Sequence, residues 1–263
     1  MRLLFLGDIV GRPGRQMVRD HLPRLRRELH LDAVLANAEN ASGGLGLSAK
    51  SARELRRHGV DVLTSGNHIW KFPDIQDVLR SEPWLLRPAN YPDPSPGTGF
   101  GIYAVEGHPP LVVINLQGRT FMSAVDCPFA VAERLMADVP AGAVVVVDVH
   151  AEATSEKRAL AHMLRGRAGL VVGTHTHVQT NDACVLDGAT GFITDLGMCG
   201  PMNSCLGMDN DIILNKFRSC RPQRFVVAGG ECMLNGVLAD VDEGRCRSIT
   251  AWKYTAASER MDV

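Results

Sequence analysis

The sequence contains no apolar run long enough to cross a membrane, which takes about 20 residues. Its amino terminus, MRLLFLGD, holds only four apolar residues in a row before Asp8, too short for the apolar segment of a signal peptide. The expected location is cytoplasmic. Excess charge of one sign is also missing, since 28 Lys and Arg offset 29 Asp and Glu. No global field is therefore available to hold a nucleic-acid backbone or an anionic membrane, and a small substrate is the better fit. Stable nucleic-acid binding and membrane binding are not expected. The seven cysteines (Cys127, Cys184, Cys199, Cys205, Cys220, Cys232, Cys246) form no C-x-x-C pair and are odd in number, which argues against a disulfide framework and a cysteine zinc site. They read as small, reduced packing residues. There is no internal repeat or low-complexity tract, and the glycine-rich GGLGLS lacks both the dinucleotide-binding spacing and a P-loop lysine.

What is present is an alternation of strand and helix patterns. At 263 residues the chain is long enough for one large α/β domain, expected to span 1–263. RLLFLG (2–7), DAVLAN (32–37), VDVLTSG (60–66), AGAVVVVDVH (141–150) and GLVVG (169–173) read as buried strands. Helices are expected from about Arg15 to Leu29, with Pro23 inside, and over 48–58, 128–138 and 154–165. GIYAVEG and PLVVINLQ follow each other without a helix, which suggests an antiparallel pair. From Ala183 onward the pattern turns to short strands, among them RFVVAGG, GVLADV and CRSITAWKYT.

The informative residues are those that follow the strands. Asp8 ends the first, Glu39 and Asn40 follow the second, and Asn67 and His68 the third. His150 ends the valine run, and GTHTH brings His175 and His177 after the next strand. In an extended backbone residues i and i+2 share a side, so the two histidines of GTHTH can converge on one object. Ligands in α/β sheets bind beyond the carboxyl ends of strands, where loops from neighbouring strands meet. Taken singly, each residue has an ordinary explanation: Asp8 as a helix cap, Asn40 or Asn67-His68 as turn residues, the histidines as polar strand ends. Glu39 is harder to explain that way, because an acid directly after a buried strand is costly unless something pairs with it. Asp148 and Glu152 flank His150 and could orient imidazoles or simply be exposed. His21, His30, His58, His108 and His162 lack convergent partners and read as surface or packing residues.

In order, G-D (7–8), N-A-E-N (37–40), G-N-H (66–68), His150 and G-T-H-T-H (173–177) resemble the motif set of the calcineurin-like metallophosphoesterase superfamily. The usual opening D-x-H reads Asp8-Ile9-Val10 here, and Glu39 stands where aspartate is usual. Those departures, with NAEN, RPANYP and HAEATSEK, are similar to the bacterial YmdB-like branch, whose members act on 2′,3′-cyclic nucleotides. The resemblance implies an α/β, four-layer α-β-β-α fold, a double β-sandwich flanked by helices, carrying two metal ions. By analogy Asp8, Glu39, Asn40 and His177 would hold one ion, and Glu39, Asn67, His150 and His175 the other. Asn40 would fill the gap left by the missing histidine. Hard oxygen donors mixed with imidazole suit iron best, manganese next and zinc less well. The resemblance also suggests a homo-oligomer.

The implied reaction is attack on phosphorus by a hydroxide bridging the two cations, with His68 as general acid for the leaving alkoxide. Two divalent cations less Asp8 and Glu39 leave about +2, and the hydroxide lowers this to about +1, which favours a diester monoanion. Nearby Lys or Arg, for example Lys157 or Arg12, could change that sum. The competing readings are a phosphatase or nuclease acting on another phosphoester, and a metal-binding regulatory protein with little turnover. The stretch GMCGPMNSCLGMD (197–209) is expected to pack as a tight loop near the rim, where it could shape a substrate pocket.

Overall fold

A computed structural model describes residues 1–256. The chain runs β1 (Arg2–Leu6), β2 (Asp8–Ile9), α1 (Gly11–Glu28), β3 (Ala33–Asn37), α2 (Ala49–Arg57), β4 (Val62–Thr64), a 3-10 turn (Ile69–Lys71) and α3 (Ile75–Ser81). It continues through β5 (Phe100–Tyr103), β6 (Leu111–Gln117), α4 (Pro128–Met136), β7 (Val144–His150), α5 (Thr154–Leu164), β8 (Leu170–Thr174), β9 (Cys184–Leu186) and β10 (Thr190–Ile193). The last elements are β11 (Met198–Pro201), α6 (Asn210–Ser219), β12 (Cys232–Asp242) and β13 (Arg245–Thr255).

The strands form two sheets. One has the order β2-β11-β12-β1-β3-β4, with β13 paired to β12, and the other β5-β6-β7-β8-β10-β9. β1, β3 and β4 are parallel, as are β6, β7 and β8, while β5 pairs antiparallel with β6 as the pattern implied. The antiparallel character expected of the back half is carried by the β12–β13 hairpin, whose first strand also runs antiparallel to β1.

Period-two alternation explains why the sheets stack. In β1, Leu4 and Leu6 face a layer built with α1, α2 and α3, while Leu3 and Phe5 face the opposite sheet. In β7, Val145, Val147 and Val149 face α4 and α5, while Val144 and Val146 meet the first sheet. Strands buried on both faces read as continuous apolar runs, and they need helices outside and a second sheet inside. The result is the four-layer α-β-β-α arrangement.

The same alternation carries the inter-sheet face past its apolar stretch into polar residues at the strand ends. Asn37 on β3, Thr64 on β4, Asn115 and Gln117 on β6, Asp148 and His150 on β7, and Thr174 on β8 are all fully buried. A polar layer thus closes the carboxyl end of the sandwich.

Two local expectations fail. α1 begins at Gly11 and not near Arg15, because Pro13 falls in the first helical turn, where no N–H is needed. RFVVAGG (224–230) forms no strand. Only Val227 makes an isolated bridge, to Met208, and Phe225 and Val226 remain exposed. Of the cysteines, only Cys199 and Cys246 are buried; Cys220 is exposed and the rest are half-buried, all without disulfides. No helix among the described residues is long and apolar enough to cross a membrane.

Candidate metal centre

At the carboxyl end of the sandwich the predicted residues come together from both sheets. Glu39, two residues past β3, is fully buried, and its Oε1 lies 3.1 Å from His150 Nε2 and 3.0 Å from His68 Nδ1. His150 Nε2 also faces Asn67 Oδ1 at 3.1 Å and His175 Nδ1 at 3.1 Å. A single ring nitrogen cannot serve three such partners. Donor atoms of Glu39, His150 and His175 lie within 4.8 Å of one another, the spacing of ligands around a cation.

His177 stands to one side. Its Nε2 is 3.0 Å from Asn40 Nδ2 and 3.8 Å from Asp8 Oδ1. Asp8 Oδ1 is buried without a hydrogen-bond partner, while Oδ2 accepts from the His175 main-chain N–H at 3.0 Å. An orphaned, buried carboxylate oxygen beside an imidazole nitrogen is costly unless a cation fills the gap. The predicted residues therefore fall into two neighbouring groups that share Glu39. Asn40 is turned so that Nδ2 meets Glu39 and His177, while Oδ1 accepts from His68 Nδ1–H at 2.9 Å. Ligation by Asn40 requires its amide to turn over.

The outer nitrogen of each imidazole is tied down. His150 Nδ1 meets Thr174 Oγ1 at 2.9 Å, and that hydroxyl donates to Asp148 Oδ1 at 2.8 Å. His175 Nε2 lies 3.1 Å from Glu152 Oε2, and His177 Nδ1–H donates to the Leu206 carbonyl at 3.0 Å. The lone pairs on His150 Nε2, His175 Nδ1 and His177 Nε2 are thereby aimed inward, the usual arrangement of metal-binding histidines. The residues present fit a cation.

His175 and His177 converge for a different reason from the extended backbone expected. β8 ends at Thr174, and His175 and His177 adopt φ of 104° and 67°, so the backbone there is not extended. These conformations, strained for a residue with a Cβ, send His175 to the His150 side and His177 to the Asp8 side. Other participants were missed or left open. Asn37 lies within the quoted NAEN, and its Nδ2 donates to Asp148 Oδ2 at 3.1 Å. Gly66 leaves no room for a side chain, since a Cβ there would collide with the His150 ring and Glu39 Oε2. The two-residue period running out of β3 and β8 was the signal for Asn37 and Thr174.

Electrostatics follows from burial and crowding. Burial pushes the Asp8 carboxyl up to about 6. Burial would also raise Glu39, but His150 and His68 hold it well below the usual carboxylate range. Burial opposes charge on His150, yet Glu39 and Asp8 lift it to about 9. Burial and the neighbouring His150 drive His175 down to about 3. Lys157 is buried and paired with Asp195 at 2.7 Å, so its charge already has a counter-ion outside the ligand set.

The centre opens into a cavity of about 410 Å³. Its floor is Glu39, Asn40, His68, His175 and His177, and its wall includes Leu45, Leu206, Met208, Phe217 and Phe225. The 197–209 stretch is not a loop throughout, since Met198–Pro201 forms β11, but Cys205, Leu206 and Met208 bring the rest of it into that wall, as its composition suggested. A cavity of about 630 Å³ lies between the amino-terminal ends of β3, β4 and β6, but its Arg26 and Arg56 are matched by Asp61 at 2.7 and 3.5 Å.

A helix-flanked double sandwich whose strand ends enclose buried carboxylates and imidazoles defines an α/β fold of the metallophosphoesterase type. Within that class the chain belongs to the YmdB-like protein family, whose family model matches residues 4–251. It is 46% identical over 244 residues to the 2′,3′-cyclic-nucleotide 2′-phosphodiesterase of Bacillus subtilis (strain 168), covering 92% of each chain. The crystal structure of a hypothetical protein from Thermus thermophilus matches with a TM-score of 0.92 at 42% identity, over 97% of this chain and 99% of that one. A novel phosphatase from Mycoplasma pneumoniae matches with a TM-score of 0.90 at 30% identity, over 97% and 93%.

Proposed function

We propose that the chain is a metal-dependent phosphodiesterase that opens 2′,3′-cyclic nucleotides at the bond to O2′, leaving a 3′-phosphate. The observation that carries this reading is the set of inward-facing donor atoms around buried Glu39, each imidazole tethered on its far side. The name of the Bacillus subtilis relative supplies the substrate class. Asp8, Glu39, Asn40 and His177 would hold one cation, and Glu39, Asn67, His150 and His175 the other. The donors are oxygen and imidazole without thiolate, which suits iron, or manganese, better than zinc. Two such cations, when bound, lower the pKa of water and neutralise charge on phosphoryl oxygens. The protein acts in the cytoplasm as one domain; the core shared by both sheets supports this for the described residues 1–256, and the last seven residues of the expected span 1–263 lie outside them.

The chain's own residues orient the substrate and move the proton. Asp8 and Glu39, both fully buried, present fixed negative charge that recruits cations without reorganisation. His68 sits on the cavity floor at the start of the 3-10 turn, and its main-chain N–H donates to Glu39 Oε2 at 2.9 Å. Its Nδ1 lies 3.0 Å from Glu39 Oε1, a contact that survives the turn of the Asn40 amide and leaves Nε2 to carry the transferable proton. That proton goes to O2′ as the ester bond breaks. A cyclic diester carries one negative charge and a flat base, matching a charged floor beneath an apolar wall.

The test is His68→Ala assayed on two esters together with elemental analysis of the purified protein. We expect a loss of about 10²- to 10⁴-fold on a 2′,3′-cyclic nucleotide and a much smaller one on a nitrophenyl ester, whose leaving group needs little protonation. Equal losses on both would remove His68 from the acid role. Protein containing neither iron nor manganese would overturn the metal assignment.

A further inference from the structure

A second groove of about 510 Å³ adjoins the cavity over the metal centre at Phe217 and Phe225. Lys216, Phe217 and Phe225 line both, and Arg221 lines the outer one. Both rings are exposed, Phe217 by 74% and Phe225 by 39%, and Lys216 Nζ lies 4.6 Å from the Phe225 ring centroid. From 212 to 230 the sequence holds Lys216, Arg218, Arg221 and Arg224 and no acidic residue, although the whole chain has a net charge of -1. All four cations are exposed, and among the described residues no ion pair to a carboxylate forms with any of them.

A cyclic mononucleotide has a single phosphate, and that phosphate belongs at the metal centre. Lys216 and Arg221, which line the outer groove, and Arg218 and Arg224 beside it in the chain then have no counterpart. Its ribose uses O2′ and O3′ in the reacting ring, so any longer substrate must leave the site through the 5′ oxygen. The outer groove shares Lys216, Phe217 and Phe225 with the cavity and offers what such a strand needs: cations for phosphates and exposed rings for bases. A two-fold dimer through this face would set the same four cations against their own copies.

We infer that the outer groove binds the nucleotides 5′ of the reacting one, so that the substrate class extends to short single-stranded oligoribonucleotides ending in a 2′,3′-cyclic phosphate. This rests on the cyclic-nucleotide reading. The chemistry is unchanged by strand length: water adds to phosphorus, the bond to O2′ breaks, O2′ takes a proton and a 3′-phosphate remains.

The experiment compares the metal-loaded wild type with the Arg221→Ala/Arg224→Ala variant on uridine 2′,3′-cyclic phosphate and on a uridine trinucleotide ending in the same group. In the wild type the trinucleotide should have a kcat/KM at least about tenfold higher, expressed in KM, from added stacking and phosphate contacts. The double variant should lose that advantage and keep the mononucleotide value. The wild-type advantage should also fall with salt, with a logarithmic slope of about −0.7 per phosphate neutralised. Equal kcat/KM values in the wild type, or a ratio the variant leaves unchanged, would overturn the inference. Fluorescence anisotropy of a 5′-labelled trinucleotide ending in a 3′-phosphate reads binding without turnover. Identical binding by wild type and variant also overturns it, whereas weakened binding by the variant with hydrolysis of neither substrate overturns the cyclic-nucleotide reading instead. If sedimentation shows that the variant changes the oligomeric state, the groove is an interface between copies and the proposal fails.

Discussion

Thr174 shows how much of the centre depends on residues that would touch no metal. Its hydroxyl accepts from His150 Nδ1–H at 2.9 Å and donates to Asp148 Oδ1 at 2.8 Å, while Asn37 Nδ2 reaches the other Asp148 oxygen at 3.1 Å. Thr64 donates to the same oxygen. Burial still pushes the Asp148 carboxyl up, so each of these bonds offsets part of a real desolvation cost. Thr174→Val keeps the shape and deletes these two bonds together with the one that Oγ1 accepts from Asn37 Nδ2 at 3.3 Å. We expect the metal-free protein to lose about 1–3 kcal/mol, because a buried donor and a buried acceptor are each left short of a partner. Metal affinity should fall about 10- to 100-fold, since the His150 ring is no longer held in its tautomer and angle. Denaturant titration and metal competition measure the two effects separately. Wild-type metal affinity in this variant would show that the Asp148–Thr174 relay does not orient His150.

Among the elements, β1, β7 and β8 were legible because strands buried on both faces leave unbroken apolar runs. The residues that follow them were legible as a set for the same reason: acids, amides and imidazoles at the ends of buried strands need partners. Legibility fails where two signals conflict or where tertiary support is missing. The proline of GRPG reads as loop although the first helical turn accepts it. RFVVAGG has a strand's composition, yet no neighbouring strand lies alongside to pair with it. The geometry of GTHTH was hidden because left-handed backbone at histidine is a tertiary property. What holds that loop is an element-scale device: Asp195, after β10, accepts from Thr176 N–H at 3.1 Å, Gly197 N–H at 2.9 Å and Lys157 Nζ of α5 at 2.7 Å. Both charges are fully buried. Lys157→Met leaves the Asp195 carboxylate buried without its counter-ion, so we expect a loss of about 3–5 kcal/mol in denaturant unfolding. A loss below about 1 kcal/mol, the range of exposed pairs, would mean that water reaches the pair and α5 does not pin the loop.

At the scale of the whole molecule, folding has gathered acids and imidazoles into one dry place, so proton binding and metal binding are coupled to each other and to stability. Without a cation, His150 stands near 9 and Asp8 near 6, both above their ordinary values. A raised histidine stabilises the fold fully below its unfolded pKa of about 6.5, and that contribution disappears as pH climbs through about 9. Chelated protein should therefore lose stability between about pH 6.5 and 9 from this group. A raised carboxyl works at lower pH: ionising buried Asp8 costs stability as pH rises from about 4 to about 6. A cation seated on these residues requires His150 neutral and Asp8 ionised, so its uptake releases the protons they carry. Affinity should then rise about tenfold per pH unit between about pH 6 and 9, and more steeply below about pH 6, where Asp8 contributes a second proton. Thermal melts with and without a chelator, run across this range, follow the consequence directly, because binding to the folded state alone adds RT ln(1 + [M]/Kd) to stability. The gap between the two melting curves should widen as pH increases towards 9, the loaded protein staying flat while the chelated one falls. A constant gap would mean that no proton leaves on metal uptake, and that His150 and Asp8 are not where the cations bind.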